Sequence, residues 1–97
     1  MSTSIINPSI CIPRIENHIN KKDIYNTFSL YNFGKIDRID LITTKNKQSQ
    51  RAFIHFKYWY NTFKSNIVKN YLLNDKDVKI IYDEPWFWKC FINKAKK

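Results

Sequence analysis

The side chains able to do chemistry are few, and they stand apart. The histidines are His18 and His55 alone, the cysteines are Cys11 and Cys90, and no CxxC or HxxxH spacing occurs. A structural zinc site needs several such donors at short intervals, so neither a metal nor another cofactor is expected. The acids Asp37, Asp40, Asp75, Asp77, Asp83 and Glu84 are scattered, and none reads as half of a catalytic dyad or as a partner for His55. The expectation is a protein without catalytic residues, not an enzyme.

What remains is charge and aromatic surface. Lys and Arg number 17 against 8 Asp and Glu, a formal charge of +9, and aromatic residues make up 16% of the chain. A domain this basic usually meets a polyanion, most often nucleic acid and less often an anionic membrane surface. Lys supplies 14 of the 17 basic residues, in a chain also crowded with Asn and Ile. An A/T-rich coding sequence produces that same bias, which discounts part of the charge signal. No basic stretch leads into an apolar one at the N-terminus, and no apolar run approaches the roughly 20 residues of a membrane span. The expected setting is therefore intracellular, cytoplasm or nucleus, with both thiols free and no membrane partner.

The 97 residues make one small domain, and two packed layers are the natural way to close a core of that size. Residues 1–8 are small and polar up to Pro8 and read as a flexible lead. Ser9 to Ile15 reads as a strand, in which Pro13 belongs at an end or on an unpaired side because it cannot donate. Asn20 and Asp23 signal a helix start, and Ile24, Phe28 and Tyr31 recur on one helical face. The helix is expected to stop before Gly34, the only glycine, placed where a left-handed cap is wanted. Lys35 to Ile42 alternates as a strand with one wet face, and Thr43 to Gln50 is a loop. Arg51 to Phe56 is a strand again, with Ala52, Ile54 and Phe56 on one face and Arg51, Phe53 and His55 on the other. Tyr58 to Asn74 reads as helix, with Phe63, Ile67 and Tyr71 at spacing four beside Leu72. Ile24, Phe28, Phe63, Ile67 and Leu72 are the predicted helical core. A turn at 74–77 leads to a last strand, Val78 to Tyr82, and after Pro85 comes an apolar tail, Trp86 to Ile92, with a basic tip. This β-α-β-β-α-β order predicts an α+β sandwich: a four-stranded antiparallel sheet, both helices on one face, the other face open.

That order, over residues 9–83, resembles the RNA recognition motif family and implies its ferredoxin-like fold. Ile10-Cys11-Ile12-Pro13-Arg14-Ile15 is similar to the family's first-strand RNP2 pattern, with Cys11 where an aromatic is usual. Ser49-Gln50-Arg51-Ala52-Phe53-Ile54-His55-Phe56 falls on its third-strand RNP1 pattern, keeping Phe53 but carrying Arg51 where the first aromatic stands. The extension 84–97, through Pro85-Trp86-Phe87-Trp88, looks like that of small RNA recognition motif-like proteins of large DNA viruses.

The resemblance implies RNA, or another single strand, as partner, bound on the open face by stacking and by basic side chains. The residues implied are Phe53, Arg51, His55, Cys11 and Arg38 on the sheet, framed by Arg14, Lys45 and Lys47. Phe53 reads either as a base platform or as an aromatic covered by the tail. In the tail an extended chain points Trp86, Phe87 and Trp88 to alternate sides. They would cover the domain's own sheet, bind a protein partner or stack bases. A protein-interaction role through the sheet face and this tail is the alternative function.

Overall fold

The computed structural model describes residues 7–45 and 48–93. Among these residues seven elements follow in order: β1 (Ile10–Ile15), α1 (Lys21–Tyr31), β2 (Gly34–Thr43), β3 (Gln50–Trp59), α2 (Phe63–Leu73), β4 (Val78–Asp83) and β5 (Trp86–Ile92). The strands form one sheet in the order β2-β3-β1-β5-β4, each pair of neighbours antiparallel. The α+β class is as expected, but the four-stranded sheet is corrected to five strands. The aromatic tail neither covers the sheet nor hangs free. It becomes β5 and lies between β1 and β4, pairing Cys11 with Phe91 and Ile80 with Trp88. An alternating run of large aromatic and apolar residues pairs well with neighbours on both sides, which suits an interior strand.

One core lies between the sheet and the helices. Ile10 and Ile12 from β1, Ala52, Ile54 and Phe56 from β3, Ile80 from β4, and Trp88 and Cys90 from β5 pack there with Ile24, Phe28 and Leu72 of the helices. The Trp88 ring stacks parallel to Phe28 of α1, centroids 6.5 Å apart, and to Tyr82 of β4 at 4.4 Å. Asn7 and Pro8, at the edge of the expected lead, are tied to β3: Trp59 donates its backbone N–H to Asn7 Oδ1 at 3.0 Å and its indole N–H to the Pro8 carbonyl at 2.9 Å. Pro13 sits within β1, where the pairing with β3 shifts register between Ile12 and Ile15. Such an irregularity accommodates a residue that has no donor.

The second helix is also corrected. Tyr58 and Trp59 extend β3, so α2 begins only after Thr62, whose hydroxyl accepts from the Ser65 N–H. Ser65 is buried and donates its hydroxyl to the Phe33 carbonyl at 2.9 Å. That bond turns the Ser65, Val68 and Leu72 side inward. Phe63, expected in the core, is 84% exposed, and Ile67 and Tyr71 are exposed as well.

The end of α1 differs from expectation in an instructive way. Asn20 and Asp23 form a reciprocal capping box at its start. At its end the left-handed residue is Asn32, φ 58°, whose N–H donates to the Phe28 carbonyl. Gly34 has no positive φ and opens β2. Its bareness serves a close approach: a Cβ there would lie 2.4 Å from the Tyr58 carbonyl oxygen and 2.7 Å from Trp59 Cα. Backbone cannot move aside as a flexible side chain can, so Gly34→Ala is expected to cost at least about 2 kcal/mol. Asn32→Gly, at a position that already accepts the left-handed region, should change stability by only a few tenths of that. Urea denaturation of the two variants checks the pair, and equal losses would contradict this assignment.

Candidate functional site

The sheet face away from the helices carries the candidate site. Because side chains alternate along a strand, each residue beside a core position points to this face. From β2 come Arg38, Asp40 and Ile42; from β3, Arg51, Phe53 and His55; from β1, Cys11. The ladder sets Arg38 opposite His55, Asp40 opposite Phe53, and Ile42 opposite Arg51. Cys11 lies between Phe53 on one neighbouring strand and Phe91 on the other. Two strand spacings separate those phenylalanines, about 10 Å, with only a thiol between them.

The predicted site residues fall into two groups and a remainder. Arg14, Lys45 and Arg51 converge, lining with Pro13, Thr44 and Ser49 a shallow cleft of about 320 Å³ at the β2–β3 loop end. Arg51 and Phe53, two positions apart on β3, join this basic cleft to the aromatic row. His55 and Arg38 stand at the opposite end of the face, where a hydrogen-bonded chain holds them. His55 Nε2 is 3.0 Å from Asp40 Oδ2, His55 Nδ1 is 2.9 Å from Ser9 Oγ, and Arg38 Nε donates to Asp40 Oδ1 at 3.2 Å. The expectation that His55 lacks a carboxylate partner is thus overturned. Asp40 lies fifteen residues earlier but one strand away, a contact only strand pairing creates. With Asp40 ionised, the network assigns the His55 proton to Nε2, and Nδ1 accepts from the Ser9 hydroxyl.

Serine, imidazole and carboxylate in a row is also the composition of a nucleophilic triad. The surroundings differ: the best-formed clefts among the described residues are lined by other side chains, not by Ser9, His55 or Asp40. What the chain does chemically is fix the Arg38 guanidinium and the imidazole in place on the face.

The tail residues separate. Trp88 is in the core, Phe87 is 45% exposed on the open face, and Trp86 is 64% exposed where β5 begins. Lys47 lies outside the described residues, and Lys45 is exposed. Phe91, Phe87, Lys89 and Lys79 also belong to this face, and of these sequence reasoning named only Phe87: it did not expect the tail to be a strand, and Lys79 carried no signal of its own. Reading Trp86–Ile92 as a strand with Trp88 inward would have put Phe87, Lys89 and Phe91 together outward. The Lys79 ammonium stands 5.3 Å from the centre of the Phe87 ring, an attraction between a cation and a π face.

Both thiols are free, as expected. Burial pushes the Cys11 thiol up, and the nearby Arg51 charge only partly offsets this. Cys90, deep in the core, is pushed far higher by burial. Neither is poised as a thiolate nucleophile. No group of three or more metal-ligating side chains occurs among the described residues, and no helix there is long and apolar enough to cross a membrane. Comparison with protein-family models, with curated proteins and with solved structures finds no match to this chain.

Partial desolvation pushes the Asp40 carboxyl up, but hydrogen bonds and charge from Arg38 and His55 outweigh it and hold the group below the usual carboxylate range. A carboxyl whose folded-state pKa lies below its unfolded value adds stability above the unfolded value, and loses it as pH falls through the folded one. The melting temperature of the protein should therefore fall between about pH 5 and about pH 2, and Asp40→Asn should flatten that segment of the profile. Identical profiles would show that the Asp40 cluster adds nothing.

Proposed function

We propose that this protein is a non-enzymatic, RNA recognition motif-like module that binds single-stranded RNA on its open sheet face. One observation carries the reading: Trp86–Ile92 is a strand of the sheet and not a lid, so half-buried Phe53 keeps part of its ring open beside a basic cleft. Phe53 and Phe91 flank Cys11 as two platforms for bases, with Phe87 further along β5. Unstacked bases offer π faces to such rings whatever their sequence. Arg51 reaches from the row into the cleft it shares with Arg14 and Lys45, a setting suited to phosphate.

Selectivity in this arrangement is modest. Most of the recognition is stacking and charge, and the groups able to read base edges are few: His55, Ser9, and Arg38 held by Asp40. Cys11 supplies no platform of its own. Its small side chain leaves a trough between the two rings, and a base settling there would touch Phe53 on one side and Phe91 on the other.

Titration with a fluorescent single-stranded oligouridylate at low salt tests the reading. Removing one stacking ring costs roughly 1–3 kcal/mol, so Phe53→Ala and Phe91→Ala should each weaken binding about tenfold or more. Affinity should fall with salt, each phosphate neutralised adding about −0.7 to the slope of log K against log salt. Arg51→Gln should make that slope shallower. No binding at low salt, or binding indifferent to both phenylalanines, would sink the sheet-face mode.

A further inference from the structure

The back of the molecule holds a second surface that single-strand binding leaves unused. On α2, Phe63, Ile67 and Tyr71 form an apolar stripe turned to solvent, the side displaced when Ser65 and Leu72 took the core. Between this stripe and the sheet edge runs a cleft of about 370 Å³, lined by Ile67, Val68, Tyr71, Asp77, Val78 and Lys79. Its floor is apolar, and β4, the strand beside it, is an outer strand of the sheet.

The edge of β4 is open over part of its length only. At Ile81 the backbone N–H donates to the Tyr31 hydroxyl at 2.9 Å, so this residue faces away from β5 and is capped by a side chain of α1. In an antiparallel ladder inward and outward residues alternate. The register is unbroken from Lys79–Lys89 to Ile81–Phe87, so Lys79 faces outward too. Its N–H and C=O have no hydrogen-bond partner among the described residues. A free donor and acceptor thus stand at the lip of an apolar cleft, and a tyrosine closes the edge one step further on.

We infer that this cleft receives an extended peptide of a partner protein, which adds to the β4 edge at Lys79 and alternates aliphatic with acidic residues. The alternation follows from the geometry. Every second side chain of an added strand points to the helix side, where Ile67, Tyr71 and Val78 take an aliphatic group. The others point to the open-face side, where Lys79 stands. Lys76, whose ammonium lies 5.9 Å from the centre of the Tyr71 ring, adds positive charge on the helix side. The formal charge of +9 favours an acidic partner at long range. The Tyr31 cap limits pairing to the stretch before Ile81.

The test uses the full chain as bait for a displayed library of random peptides about eight residues long, enough to span such an edge. The expected result is enrichment of peptides alternating aliphatic residues with Asp or Glu. Ile67→Glu, an exposed change that closes the cleft with charge, should weaken them about tenfold or more. Lys79→Pro, which removes the outward N–H together with the ammonium that meets the acidic side chains, should do the same, and melting curves verify that both variants fold. Binding of peptide to Phe53→Ala should be unchanged, and oligouridylate binding to Ile67→Glu should be unchanged, which separates this surface from the sheet face. No enriched peptide, or peptides indifferent to both variants, overturns the inference. So does a dimer in sedimentation that Ile67→Glu dissolves, because the occupant is then a second copy. Loss of oligouridylate binding in a folded Ile67→Glu also overturns it, because the cleft then belongs to nucleic acid.

Discussion

Trp88 stacked on Phe28 is the contact on which the remainder of the molecule turns. From it a line of rings runs through the core: Trp88 to Phe28, Phe28 to Phe33, Phe33 to Trp59, and Trp59 to Phe56. The line joins β5, α1 and β3, elements far apart in the chain. Burying a tryptophan removes on the order of 200 Å² from water, about 5 kcal/mol by area and an upper figure. Against this, the Trp88 indole N–H is buried with no hydrogen-bond partner among the described residues, which costs about 1–3 kcal/mol. Burial wins, and the unpaired donor is tolerated. Because side chains alternate, placing Trp88 inward also places Phe87, Lys89 and Phe91 outward. One core contact thereby decides the content of the opposite face.

The architecture was legible where local signals and tertiary demands agree. The Asn20–Asp23 cap, the alternation in 51–56 and the core positions Ile24 and Phe28 all act within a few residues of chain. The failures came where distant contacts chose between local options. The stripe Phe63, Ile67 and Tyr71 is a good helical face, but Ser65 bonding to the Phe33 carbonyl rotated the helix away from it. Gly34 read as a cap because glycine so often ends helices. The true constraint was the Tyr58–Trp59 backbone paired closely beside it, invisible without the sheet. That the tail is a strand is not legible locally, because its strand neighbours, β1 and β4, lie far from it in sequence or across a proline.

The candidate site was half legible for the same reason. Arg51, Phe53 and His55 share one strand, and their common face follows from period two. That Arg14 and Lys45 meet Arg51 in one cleft required the chain to bring the end of β1 to the β2–β3 loop. The Asp40 partner of His55 and the Phe91 neighbour of Cys11 are both cross-strand relations. Composition announced a basic, aromatic protein; pairing register decided which of those residues stand together.

Among the described residues left-handed backbone occurs at Asn32 and Asp75, and neither is glycine. In a chain whose one glycine is Gly34, both reversals are made by residues whose short polar side chains tolerate that region. The consequence lies in the unfolded chain. Glycine-poor turns wander over fewer conformations before folding, so less disorder has to be surrendered when they close. For a domain with so small a core, part of the folded state's advantage is set by what the denatured ensemble is denied, as well as by what the native contacts provide.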